Sequence, residues 1–226
     1  MNINQDYYMR TYAEHIRDSF SGFWRRGLLR KLMTAIDHYN KDKYEAALKI
    51  LLSLRKKCKT DNERCAVLTF IALCYDDMHY FAPCIDAYRE IIAIDPKRSS
   101  IHSNLGLMYR RTGNYADAIE AFGNAISCDP SNPVAYNNLG LTYYRMGEYE
   151  AAINSCQKAL AIKGNLYQAA NCLCLCYFIL HKHEECKKYY KIALTNGADP
   201  NTLKGELEKL REGMAIEDGN DLWWDL

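Results

Sequence analysis

The chain has 226 residues, with 29 Lys and Arg against 28 Asp and Glu. That near-balance argues against a dedicated nucleic-acid binder, which carries a basic excess. With 49% apolar and 25% charged residues the chain is not disordered, and 12 Gly and 5 Pro are few enough breakers to favour helices.

The first 12 residues are polar and include Asp6 and Arg10, with no apolar stretch of the kind an export signal needs. No apolar run approaches the roughly 18 residues of a membrane span. The expected compartment is therefore the cytoplasm, where the 10 cysteines stay reduced. Within residues 1–27, Tyr8, Tyr12, Ile16, Phe20 and Trp24 recur every four residues, which predicts an amphipathic helix. It serves as a cap packed over the next part of the chain, as a dimerisation helix, or as a membrane-surface helix. The third reading rests on the mixed aromatic and basic run from Phe23 to Lys31.

Beyond residue 27 the sequence repeats itself. Asn104-Leu105-Gly106 aligns with Asn138-Leu139-Gly140 at an offset of 34. Tyr109 then meets Tyr143, Gly113 meets Gly147, Tyr115 meets Tyr149, Ala118 meets Ala152 and Ala125 meets Ala159. One step back gives Ile71-Ala72, Tyr75, Cys84 and Asp95-Pro96; one step forward gives Leu173-Cys174, Tyr177, Cys186 and Asp199-Pro200. A more degenerate copy with Ala35, Tyr44 and Ala47 precedes these, followed by a longer connection from Lys56 to Arg64.

Each unit reads as two helices. Ile101, Leu105, Met108 and Tyr109 lie on one helical face, and Gly113-Asn114 ends that helix. Ala118, Ile119, Phe122 and Ala125 form a second stripe, closed by Asp129-Pro130. Two such short helices cannot bury both faces alone, so stacked copies share a core. Small residues are needed where the paired helices approach: Gly106 and Gly140 in the first helix, Ala118 and Ala152 in the second. Cys84, Cys174 and Cys186 occupy the same columns as these residues, so most cysteines are expected to pack as small hydrophobes. Cys172, Cys174 and Cys176 cannot all face one ion, because successive pairs turn about 200° on a helix.

This pattern resembles the tetratricopeptide repeat family, whose signature runs W-x2-L-G-x2-Y, then A-x3-F, then P over 34 residues. The central copy supplies Leu105, Gly106, Tyr109, Ala118, Phe122 and Pro130, with His102 in place of Trp. The next copy has Tyr136, Leu139, Gly140, Tyr143 and Ala152, with Cys156 for Phe and Gly164 for Pro. The resemblance implies an all-α, right-handed solenoid of antiparallel helix pairs, about five units in one array without internal boundary. The expected units are 28–64, 65–98, 99–132, 133–166 and 167–200. A solvating helix comes next over 201–216, with Leu203, Leu207 and Leu210 on one face and Glu206, Glu208 and Glu212 on the other. The segment 217–226 is acidic and carries Trp223, Trp224 and Leu226. It folds back on the array, docks a partner, or enters the groove of another copy.

No phosphate loop, zinc motif or nucleophile elbow is present in the sequence. His181 and His183 sit with Glu184, Glu185 and Cys186, but the repeat register places them at a turn and in a tyrosine column. Asp76-Asp77 reads as a solvated helix end. The expectation is a protein that is not an enzyme, with no cofactor and no metal site.

The resemblance also implies where a partner binds: along the first helices of successive repeats. Asn104 and Asn138 share one column there; Ser103, Asn137 and Asn171 share the preceding one. An asparagine amide both donates and accepts, so such columns suit an extended peptide backbone. Leu107, Leu141 and Leu175 add apolar contacts, and Arg110, Arg111, Tyr144 and Arg145 border the same face. The family's clamp for a terminal carboxylate is not expected, since its columns hold Ser100, Val134, Gln168, Thr69 and Phe70. The function expected is a protein–protein scaffold or adaptor binding an extended peptide or helix in that groove, without nucleic acid. The competing readings are a homo-oligomer joined through the leading helix or the Trp segment, and a membrane-surface scaffold.

Overall fold

The computed structural model describes residues 26–213. The helix expected over 1–27, except its last two residues, and the acidic segment 217–226 lie outside the described residues, as do Trp223, Trp224 and Leu226. The described chain is all-α, with eleven helices, of which the first ten pack as five successive pairs. It separates into two compact units that meet in sequence at Lys97 and Arg98. The boundary between these units falls between the second and third of the expected repeats. Repeat contacts run only between neighbours, so each side can keep its own core.

The first unit holds α1 (Arg26–Asn40), α2 (Tyr44–Arg55), α3 (Asp61–Asp77) and α4 (Phe81–Ile94). α1 packs on α2 and α3, α2 on α3, and α3 on α4. Leu32, Leu51, Leu54, Phe70, Ile71, Tyr88 and Ile91 form its core. α3 starts inside the long connection because Thr60 and Glu63 make a capping box. The Thr60 hydroxyl accepts from Glu63 N at 3.2 Å, and the Glu63 carboxylate accepts from Thr60 N at 3.3 Å and from Lys59 N at 2.7 Å. Those bonds account for a glutamate that is buried. At the other end of α3 the acidic pair is not solvated: Asp76 is 5% exposed, and Asp77 accepts a short hydrogen bond from the Tyr39 hydroxyl on α1. Burial, then the carboxylate of Asp77, raises the pKa of Tyr39, which keeps it the donor.

The second unit holds α5 (Ser99–Arg111), α6 (Tyr115–Cys128), α7 (Pro133–Met146), α8 (Tyr149–Ile162), α9 (Tyr167–Ile179), α10 (His183–Thr195) and α11 (Pro200–Gly213). The strongest packing joins α5 with α6, α7 with α8 and α9 with α10. The first helices also touch one another in a row, α5 to α7, α7 to α9 and α9 to α11. Asn132 caps α7 by accepting from Val134 N and Ala135 N at 3.0 and 3.1 Å, with Pro133 in the first turn. Its amide donates to Ser99 Oγ at 2.9 Å, and Ser99 donates to Ala125 O at 2.8 Å, so the two repeats are stapled at their starts.

One backbone position recurs throughout. After each first helix the chain takes a left-handed turn, at Gly113 and Gly147 (both φ 80°), His79 (φ 61°) and His181 (φ 55°). Asp42 (φ 56°) occupies the same place in the first repeat, 37 residues before His79. The turn is dictated by the return of the chain to the partner helix, and only two of the five copies use the residue that adopts it without strain.

No disulfide joins the ten cysteines; eight are buried, Cys58 is half-buried and Cys128 is exposed. Burial, with Asp77 nearby, pushes the Cys74 thiol up to about 12. Thiolates, not thiols, are alkylated. Iodoacetamide at pH 8 is therefore expected to modify Cys128 first and Cys58 more slowly, with the remaining eight reacting only in denaturant. Mass spectrometry of native and unfolded samples checks this. Fast native labelling at Cys174 or Cys186 would contradict the packing.

Candidate peptide-binding groove

The row α5, α7 and α9 carries the groove residues expected from the repeat, and burial sorts them. Asn104, Leu107 and Arg110 on α5, and Asn138, Leu141 and Tyr144 on α7, are all half-buried; Arg111 and Arg145 are exposed. Each helix thus presents a stripe at i, i+3 and i+6 to one side of the row. Ser103 (6% exposed) and Asn137 (7%) do not share it. They lie one residue earlier, about 100° around the helix, which turns them into the contacts between neighbouring helices. Ser103 Oγ, Asn137 Oδ1 and Asn171 Oδ1 are buried and have no hydrogen-bond partner among the described residues. An atom without exposed surface cannot meet a peptide amide, so the asparagine column that faces outward is Asn104 and Asn138.

The stripe also ends earlier than the period implies. On α9 its equivalents are Cys172, Leu175 and Phe178, exposed 1%, 7% and 1%. α9 is apolar all round and packs against α7, α8, α10 and α11, so Leu175 belongs to the core. The surface available to a ligand therefore lies on α5 and α7.

Its electrostatics are one-sided. α5, α7 and α9 together carry Arg110, Arg111 and Arg145 and no Asp or Glu. Arg110 reaches across to α7, where its Nη2 donates to Asn138 Oδ1 over a long 3.5 Å. Neither Arg110 nor Arg145 pairs with a carboxylate among the described residues. Burial, then the charges of Arg145 and Arg111, lowers the Arg110 pKa. Burial also pushes the Tyr144 hydroxyl up to about 12, with Glu206 of α11 among the nearby charges. The link between Arg110 and Asn138 was not anticipated from the sequence. Its signal, a charge count for each helix, was available. In the first unit, Arg30 and Lys31 of α1 line a shallow recess with Lys56, Lys57 and Lys59, which gathers the basic residues of that region.

Among the described residues no group of three or more His, Cys, Asp or Glu is placed to hold a metal ion. No helix among them is long and apolar enough to cross a membrane.

The family description TPR repeat matches residues 106–147, and Tetratricopeptide repeat matches residues 133–166. No curated protein matches the chain. Solved structures share the fold. A tetratricopeptide repeat protein from Parabacteroides merdae superposes with a TM-score of 0.74 at 16% identity, over 84% of this chain and 75% of that one. MamA gives 0.65 at 24% identity, over 72% of this chain and 93% of that one. Pseudomonas aeruginosa pilF gives 0.69 at 15% identity, over 83% and 84%. The two family models thus cover residues 106–166, the third and fourth of the expected units, and the solved structures share the repeat fold over most of the chain. Repeats of this kind typically serve as protein-interaction scaffolds, the general role they support here.

Proposed function

We propose that the chain is an adaptor that holds an extended peptide of a protein partner across α5 and α7. The observation that supports this reading is the pairing of Asn104 and Asn138, which stand at equivalent places on neighbouring helices with half-exposed amides. Their spacing follows the repeat and not any partner side chain, so they bind main-chain amides. Leu107, Leu141 and Tyr144 supply apolar contact beside them, and Arg110 and Arg145 supply charge. Each half-exposed hydrogen bond contributes about 1 kcal/mol. Asn104→Ala combined with Asn138→Ala is therefore expected to weaken a copurified partner about thirtyfold, measured by calorimetric titration, with an unchanged melting temperature. A partner that binds the double variant as tightly as the unaltered chain removes the asparagine pair from the site.

A further inference from the structure

Arg110 is half-buried yet has no carboxylate partner among the described residues. A charge withdrawn from water is costly unless it is paired, and Arg110 is withdrawn with only one long neutral hydrogen bond and two like charges beside it. The outer helices of the same unit do carry acids, Asp117 and Glu120 on α6, Glu150 on α8, Glu184 and Glu185 on α10. Acids are thus absent from α5, α7 and α9, though α11 at the end of the row carries Glu206, Glu208 and Glu212, and none of these pairs with Arg110 or Arg145; an anionic ligand would complete the site.

The chain itself holds a segment with that chemistry. Residues 217–226 contain Glu217, Asp218, Asp221 and Asp225, no Lys or Arg, and the pair Trp223-Trp224. Carboxylates suit the two guanidinium forks, and the indoles suit Leu107, Leu141 and Tyr144. The reach is sufficient. Thirteen residues come after Gly213, and extended at about 3.4 Å each they span about 44 Å. From α11 past α9 and α7 to α5 is three interhelical spacings, roughly 27 Å. α11 packs on α9, the helix next to α7 in the row.

We propose that residues 217–226 dock in cis on the α5–α7 groove, with their side-chain carboxylates on Arg110 and Arg145. This rests on the groove being the peptide site of the proposed adaptor. It makes the segment an internal competitor, so that a partner must displace it and must itself be acidic.

The test uses a fluorescein-labelled decapeptide of residues 217–226, read by anisotropy and added to full-length proteins only. These are the unaltered chain, a quadruple variant (Glu217→Gln, Asp218→Asn, Asp221→Asn, Asp225→Asn), and that variant with Arg110→Gln and Arg145→Gln. A tethered segment competes at high effective concentration. The decapeptide is thus expected to bind the quadruple variant at least tenfold more tightly than the unaltered chain. Adding the arginine substitutions is expected to cost at least tenfold again. Should those substitutions disturb folding, raising the salt concentration tests the same contact on the quadruple variant, where affinity must fall steeply. Equal binding to the unaltered chain and the quadruple variant overturns docking in cis. Insensitivity to salt or to both arginines overturns the groove as its place, and binding to none of the proteins overturns the proposal outright. Sedimentation of the unaltered chain is expected to show a monomer; a dimer that the quadruple substitution dissolves assigns the segment to a second copy and overturns it too. None of these failures touches the asparagine pair, whose partner affinity is measured separately.

Discussion

Phe122→Ala is expected to lower stability by about 3–5 kcal/mol, the usual cost of emptying a buried aromatic site. Phe122 is wholly buried on α6, and its ring fills the notch left by Gly106 on α5. A Cβ added at Gly106 would lie 2.7 Å from Phe122 Cε1 and 2.9 Å from Cδ1 and Cζ, closer than real contacts allow. The two residues are therefore one packing unit, and their substitutions should not add. Gly106→Ala alone is expected to destabilise. In the Phe122→Ala background the same methyl enters vacated space and gains helix propensity, so it should recover part of the loss. Denaturant unfolding of the two single variants and the double variant measures this coupling. A double variant less stable than Phe122→Ala alone would rule out the notch.

Gly140→Ala is expected to destabilise by about 1–3 kcal/mol, the range for overpacking a filled core. A Cβ there would collide with Cys156 Sγ, which is wholly buried, and would lie 3.1 Å from Ala152 O and 3.3 Å from Cys156 N. Backbone atoms cannot step aside as a side chain can, so α7 and α8 must separate. Gly123→Ala provides the contrast. It lies in α6 with nothing within 4 Å of an added Cβ. Alanine there gains up to about 1 kcal/mol of helix propensity without a clash. The two variants make the same chemical change and should move the thermal midpoint in opposite directions. Calorimetry that showed Gly140→Ala rising would refute the close approach of α7 to α8, and one that showed Gly123→Ala falling would refute the open space at Gly123.

The repeat was legible because its residues answer to local rules. Gly106 and Gly140 mark close approach, and Gly113 and Gly147 mark a left-handed turn. The same turn is harder to read at His79 and His181, because histidine enters the left-handed region far less readily than glycine and more often lies elsewhere. The Asp76-Asp77 pair looks like a solvated end, yet Tyr39, distant in sequence, covers and bonds it. The candidate groove was half legible. Columns 34 residues apart place Asn104 and Asn138 together, but the period cannot show that a neighbour one residue earlier is buried, nor that α9 is enclosed.

By itself, the sequence determined the helix pairs, their repeat and the residues at their contacts, since each follows from periodicity and from the conformational limits of glycine and proline. Only the tertiary structure decided which face of each helix stays open, where the stripe stops and that Arg110 meets Asn138. It also decided that the contacts fall into two units at Lys97 and Arg98. Burial depends on which helices lie alongside, and residues far apart in the chain supply those helices.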